Sequence, residues 1–223
     1  MKTRKKATLE QKRIISRIIN DSISGLNLSK TEAQEIIKAG GTFQEQVKPI
    51  LQKLAMGDQR FGPTVKDFKF TVPADYQHDT QIDTFAEKTK RLETTYYFND
   101  DLTSKNFAKA TNKLEPGKTY RVRIFPILET VTSEDCMTFL AKQNAILVGG
   151  QGITLLQDQK ADEFPVGNGT VFSFDQKDAL QEDADGHHRV PSVYRFSDGG
   201  WKFNLDYFDN GWGDDYLLCV TEV

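Results

Sequence analysis

The chain has 223 residues, of which 38% are hydrophobic and 27% charged, and its net charge is −3. No stretch approaches the roughly 18 consecutive apolar residues that span a bilayer, and no apolar segment with a cleavage site follows the basic start MKTRKK, so we expect neither membrane insertion nor secretion. The two cysteines, Cys136 and Cys219, lie far apart without a CxxC pattern, which favours free thiols in a reducing cytoplasm over a disulfide.

Charge is distributed unevenly along the chain. Residues 1–60 carry 12 Lys or Arg against 6 Asp or Glu, whereas residues 61–223 carry 17 against 26. The first part is therefore basic and the remainder acidic. This asymmetry predicts either partners of opposite charge or attraction between the two parts of the chain.

Residues 1–56 are predicted to form a basic helical segment. Three stretches in it, ATLEQKRIISRIIND, SKTEAQEIIKAGG and TFQEQVKPILQKLAMG, contain a Ser or Thr followed three residues later by Glu or Gln, which is the spacing of a capping box. Seven cations within the first 20 residues predict binding to nucleic acid or to another anionic partner, and the alternatives are a solvated helix face or an arm that binds the acidic part of the same chain. The candidate partner-binding residues are Lys2, Arg4, Lys5, Lys6, Lys12, Arg13 and Arg17.

Residues 57–223 change character twice. Residues 57–91 show no sustained periodicity and are predicted to be an extended connector, with DFKFTV as a possible edge strand. Residues 92–223 are predicted to be a mixed α+β domain, in which residues 152–163 fit either helix or strand. The other elements predicted before residue 184 are the strands LETTYYF, KTYRVRIFPIL, NAILVG and GTVFSF and the helices TSKNFAKATNKL and SEDCMTFLAKQ, the latter capped by Ser133.

The C-terminal stretch predicts three strands, RVPSVYRF, WKFNLDYF and YLLCVTEV, joined in sequence order. In the second strand Trp201, Phe203, Leu205 and Tyr207 alternate with polar residues. We therefore expect the rings on the buried side of the sheet and the crowded aspartates on the solvent side and in the loops. The predicted fold class is α+β: a helical N-terminal segment, then a mixed α+β domain that ends in a three-stranded antiparallel β-meander.

A pair of D-x-K triplets raises the possibility of phosphodiester chemistry. The triplet Asp175-Gln176-Lys177 follows a predicted strand and resembles the (D/E)-x-K motif of metal-dependent nucleases of the restriction-endonuclease type. Such a site holds magnesium with carboxylates, while the lysine positions or deprotonates water. Asp158 would supply the second carboxylate if its segment were a neighbouring strand. The alternative is an exposed strand end with salt-bridging side chains.

Two further motifs are incomplete. The segment DADGHH offers Asp183 and Asp185 to a cation, but the glutamate of an EF-hand is missing, and the preferred interpretation is an acidic turn that enters a strand. The run AILVGGQGITLL places Gly149, Gly150 and Gly152 before an apolar segment. Such a turn can bind phosphate at a helix N-terminus, yet the P-loop lysine is absent, and the alternative is a tight turn that requires positive φ.

No complete catalytic constellation is present, and we predict no metal or cofactor. The preferred interpretation is a cytoplasmic, non-enzymatic interaction or regulatory protein. Its partner, a protein or a nucleic acid, would bind either the basic N-terminal arm or the acidic and aromatic end of the sheet. The alternative is a magnesium-dependent nuclease or phosphodiesterase that uses the D-x-K motif.

Overall fold

The computed structural model describes residues 58–167 and 169–223, which belong to one compact unit. The three helices predicted for residues 1–56 and the seven basic candidate residues lie outside the described residues. Within the described part, no helix is long and apolar enough to cross a membrane.

In residues 58–167 and 169–223, eight strands form one mixed sheet, and three α-helices accompany it. The helices are α1 (Gln81–Thr89), α2 (Ser133–Lys142) and α3 (Gly149–Lys160), and short 3-10 turns occur at His78–Thr80, Ala161–Glu163 and Lys177–Ala179. The strands are β1 (Lys66–Thr71), β2 (Thr95–Phe98), β3 (Thr119–Pro126), β4 (Val171–Phe172), β5 (Gln181–Glu182), β6 (His188–Arg195), β7 (Trp201–Tyr207) and β8 (Tyr216–Glu222). The mixed α+β class predicted from the sequence is therefore correct.

The strands are ordered β1-β3-β8-β4-β6-β7-β2 across the sheet, and β5 pairs with β6 beside β4. All pairs are antiparallel except β4 with β8 and β2 with β7. The hairpin of β6 and β7 matches the prediction, with Val193 opposite Phe203. The edges of this order are β1 and the four-residue strand β2.

Both faces of the sheet are covered by helices, which creates two hydrophobic layers. Helices α1 and α3 pack on one face, where Phe85 and Leu156 meet Phe203 and Leu218 among the core residues. Helix α2 packs on the other face, where Phe139 stacks on Phe61 at 4.1 Å and meets Phe125 edge-on at 5.0 Å. Because α2 lies over the β3 side, the end of this second face at β6, β7 and β2 is left without a described helix above it.

The predicted β-meander is wrong in its third strand. β8 does not continue from β7 but lies between β3 and β4 in the middle of the sheet, with Leu218 opposite Ile124. Its run Leu217, Leu218, Cys219 and Val220 is buried at every position. Continuous apolar sequence is typical of a strand with both faces covered, whereas a strand at the edge of a meander would alternate.

The extended connector predicted for residues 57–91 is also wrong in part. It contributes the edge strand β1, as DFKFTV suggested, and then helix α1, which buries Ile82 and Phe85 completely. The helix predicted for TSKNFAKATNKL is absent, and a series of turns takes its place. There Ser104 exchanges hydrogen bonds with Asp83 at the start of α1, so a tertiary contact replaces local capping.

Two local predictions around α2 need correction. The N-cap is Thr132 rather than Ser133, because Thr132 and Asp135 form a reciprocal capping box. The segment NAILVG is not a strand: it connects α2 to α3, turns at Asn144 with φ 54°, and forms a single bridge between Ile146 and Val220. Its apolar residues 145–147 are half-buried and pack against the core. The ambiguous residues 152–163 are the continuation of α3 and the following 3-10 turn.

Candidate functional site

The glycine-rich run begins helix α3, and its first turn is occupied by the side chain of Asp175. A Cβ at Gly149, which has φ +45°, would lie 1.9 Å from both carboxylate oxygens of Asp175. A Cβ at Gly152 would lie 2.2 Å from the Val148 side chain, and one at Gly150 would press on Ile82 and Phe107 at 3.0 to 3.2 Å. The glycines are therefore required by positive φ and close packing, and a carboxylate already lies where a phosphate would bind.

Asp175 is a fully buried carboxyl group. Neither of its oxygens has a hydrogen-bond partner among the described residues. Burial raises the pKa of Asp175 to about 7, and the Gly150 amide, which is near but not in hydrogen-bonding geometry, offsets part of the rise. The Asp175 side chain is fully buried and is not among the lining residues of the groove described below.

The three residues of the D-x-K hypothesis do not come together. Lys177 is exposed and pairs with Glu134 at 3.3 Å. Asp158 lies on α3 rather than on a strand and faces Lys88 at 3.6 Å. It is nine residues along the helix from Gly149, or about 13 Å at 1.5 Å per residue, whereas Asp175 is at the opposite end. The geometry gives no support to a shared magnesium site.

The weak metal candidates form a turn. One oxygen of Asp183 accepts hydrogen bonds from the amides of Asp185 and His187, and the other is 2.6 Å from the guanidinium of Arg189. These donors lower the pKa of Asp183, with the His187 amide contributing most. Asp185 is exposed. Across residues 58–167 and 169–223, no group of three or more His, Cys, Asp or Glu side chains is placed to hold a metal ion.

Both cysteines are free and buried, as the sequence predicted. Burial raises the pKa of the Cys136 thiol to about 12, and the charge of Asp135 adds to this effect. A thiol with such a pKa is a poor nucleophile at neutral pH. Cys136 instead lies on the buried side of α2, in the hydrophobic layer between this helix and the sheet.

The open end of the α2 face contains a groove, which we call the sheet-face groove. It has a volume of about 250 Å³ and follows the hairpin of β6 and β7. Ser192, Asn204 and Asp206 form its floor: Asp206 accepts hydrogen bonds from the Ser192 hydroxyl at 2.5 Å and from the Asn204 amide at 3.3 Å. The lining residues are Thr170, Ser192, Tyr194, Phe196, Lys202, Asn204 and Asp206.

A row of aromatic rings forms one end of the sheet-face groove. The rings of Tyr194 and Phe196 are 4.7 Å apart, and Tyr96 from strand β2 continues the row 5.2 Å from Phe196. A register shift between Thr95 and Tyr97 leaves both Tyr96 and Tyr97 exposed, and Lys202 lies 5.7 Å from the Tyr97 ring. The edge strand thus adds two tyrosines to the hairpin surface.

The other end of the sheet-face groove is acidic. Asp215 accepts a hydrogen bond from the amide of the lining residue Thr170 at 3.1 Å. Burial raises the pKa of Asp215, nearby amides offset part of the rise, and the charges of Asp206 and Asp214 add to it. Of the ion pairs in the described ranges, none includes Asp206, Asp214 or Asp215.

The sequence predicted the two-sided character of this hairpin but not the groove. Trp201, Phe203 and Leu205 are buried on the α1 and α3 side, as expected, while Tyr207 is exposed. The alternation of Ser192, Tyr194 and Phe196 was a usable signal for the groove side. The contribution of Tyr96 and Tyr97 could not be predicted, because it depends on the parallel pairing of β2 with the distant strand β7.

The fold and the groove define a mixed α+β protein with a partly uncovered sheet face. Comparison with protein-family models, with curated proteins and with solved structures finds no match.

Proposed function

We propose that this chain is a non-enzymatic binding protein whose protein partner binds at the sheet-face groove. The observation that carries the proposal is that exposed rings of strand β2 lie beside a groove whose lining includes Asp206, a carboxylate that forms no ion pair with any described residue. Tyr96 and Tyr97 are 54% and 45% exposed, and large rigid rings of this kind are the residues that dominate binding at protein interfaces. The free, buried thiols support a cytoplasmic location for this activity.

The magnesium-dependent nuclease is not supported by the geometry. Its carboxylates, Asp175 and Asp158, lie at opposite ends of α3, and Asp175 is buried. Nucleic-acid binding by the basic arm stays a prediction, since Lys2 to Arg17 lie outside the described residues. The acidic sheet-face groove does not favour a phosphate backbone as its ligand.

Affinity capture with matched variants of the full chain tests the proposal. We expect a partner that binds the wild-type chain to be lost with Tyr96→Ala/Tyr97→Ala and retained with Tyr207→Ala. Tyr207 is a suitable control because it is 42% exposed and lies on the opposite face of the hairpin. The purified partner is then titrated against each variant to establish direct binding.

A third variant separates the two surfaces considered from the sequence. It replaces the seven basic residues between Lys2 and Arg17 with glutamine. Retained binding by this variant, together with loss by the tyrosine variant, agrees with the proposal. Loss only when the basic residues are replaced would transfer the function to the arm and overturn the assignment to the sheet-face groove.

A further inference from the structure

The rings of the sheet-face groove are held in place by the protein itself. The hydroxyl of Tyr194 donates to the Gly167 carbonyl at 3.1 Å, and that of Tyr96 donates to Asp198 at 2.8 Å. The Tyr96 ring lies directly on Gly200, where a Cβ would approach it to 2.2 Å. Rings fixed in this way need little ordering when a partner binds, so their contacts contribute more to affinity.

Because these hydroxyls already donate to Gly167 and Asp198, the row offers a partner apolar ring surface rather than free hydrogen-bond donors. Phe196, between the two tyrosines, has no polar atom to offer. A suitable partner segment therefore presents flat apolar groups at short intervals along an extended chain. Proline in the polyproline II conformation meets this requirement, and aromatic-lined grooves are a recurring receptor for such segments.

The opposite end of the sheet-face groove sets the charge of the partner. Among the described residues Lys202 is the one cation in its lining, and it lies toward the aromatic end, opposite Tyr194. Asp206 lies four residues further along β7, its charge acts on Asp215 as that of Asp214 does, and no ion pair among the described residues includes it. A lysine or arginine of the partner would relieve the repulsion among these carboxylates, and a phosphate group would increase it.

We propose that the occupant of the sheet-face groove is an extended, proline-containing segment of a partner protein that carries a lysine or arginine. Its prolines pack on Tyr194, Phe196 and Tyr96, and its cationic side chain lies against Asp206 and Asp215. This inference rests on the proposed function, since it names the chemistry of the partner at the same site.

Defined peptides test this chemistry directly. The probes are fluorescein-labelled peptides made of four Pro-Pro-Arg repeats, four Pro-Pro-Glu repeats or four Gly-Ser-Arg repeats, and an oligothymidylate of similar length. Anisotropy titration with the full chain is expected to show the Pro-Pro-Arg peptide binding at least about tenfold more tightly than each of the other three probes. Raising the salt concentration is expected to weaken its binding.

Variants locate the binding and control for folding. Tyr96→Ala is expected to weaken binding of the Pro-Pro-Arg peptide about tenfold, and Tyr207→Ala to leave it unchanged. Asp206→Asn keeps the size of the side chain. It is expected to weaken binding of the Pro-Pro-Arg peptide and to make that binding less dependent on the salt concentration. Circular dichroism melting confirms that each variant is folded.

Three results would overturn the inference: no binding of the Pro-Pro-Arg peptide, equal binding of the Pro-Pro-Glu peptide, or stronger binding of the oligonucleotide. If the peptide fails while a captured protein is still lost with Tyr96→Ala/Tyr97→Ala, the proposed function stands and the partner has a different chemistry. If the tyrosine variant also leaves capture intact, both proposals fail.

Discussion

At the scale of single residues, Asp175 combines complete burial with a carboxyl group that has no hydrogen-bond partner among the described residues. Burial disfavours its charged form, so its pKa is about 7 in the folded protein and near the ordinary 3.8 in the unfolded chain. Below about pH 4 the carboxyl group is protonated in both states. As the pH rises toward about 7 the unfolded chain releases its proton first, and the free energy of unfolding falls.

Asp175→Asn removes this titration while keeping the shape of the side chain. The free energy of unfolding of the variant minus that of the wild type should increase by up to about 4 kcal/mol between about pH 4 and about pH 8. Urea unfolding across this range measures the difference, and taking the difference cancels the opposite trend of salt-bridged carboxylates such as Asp79 and Glu222. Parallel pH profiles for the two proteins would contradict an ionisable, desolvated Asp175.

Gly149 is the residue that admits Asp175. Gly149→Ala places a Cβ on a backbone with positive φ and also against the carboxylate of Asp175. Gly199→Ala places a Cβ at φ +89° with nothing within 4 Å, so it carries the dihedral cost alone. We expect Gly199→Ala to cost about 1–2 kcal/mol and Gly149→Ala to cost more. In an Asp175→Ala background the cost of Gly149→Ala should fall toward that of Gly199→Ala. Equal cost in both backgrounds, measured by chemical denaturation, would exclude the contact.

Some residue-scale features could be predicted from sequence alone. The positive φ of the glycine turn was one of the two interpretations of that run, and Gly149 confirms it. What filled the first turn of α3 could not be predicted, because Asp175 reaches it from a segment about 25 residues away. In the sequence the glycine run is a candidate phosphate site and the D-x-K triplet a separate candidate metal site, although Gly149 and Asp175 form one packed contact.

At the scale of elements, the strands were easier to predict than their order. Alternation identified β3 and β7, because polar and apolar side chains follow one another along each of these strands. The place of β8 depended on its continuous run Leu217 to Val220, which indicates burial on both faces and therefore a central position. Short loops favoured a meander, but burial of this apolar run outweighs the preference for pairing sequence neighbours.

Amide exchange tests the central position of β8. The amides of Leu217 to Val220 are expected to exchange only through global unfolding, because neighbouring strands and helices cover this strand on every side. Those of the edge strand β2 should exchange much faster. Hydrogen–deuterium exchange on the full chain resolves the two segments, and comparable exchange in β8 and β2 would place β8 at an edge.

At the scale of the whole molecule, the acidic character of residues 61–223 is expressed on a defined surface. The sequence predicted carboxylates on the solvent side of the C-terminal hairpin, and Asp198, Asp209 and Asp214 are exposed. It could not predict that no helix of the described residues covers one end of the α2 face, because that depends on where α2 packs. The sheet-face groove is therefore a consequence of helix placement rather than of a motif.

Site-specific photocross-linking tests the binding role of the sheet-face groove most directly. Benzoylphenylalanine replaces Tyr97 at the groove or Tyr207 on the opposite face, two tyrosines of nearly equal exposure at 45% and 42%. Irradiation of each full-length chain in extract from the source cells is followed by identification of the adducts. We predict a discrete protein adduct from position 97 that is absent from position 207. An adduct from position 207 alone, or from neither position, would contradict a protein partner at the sheet-face groove.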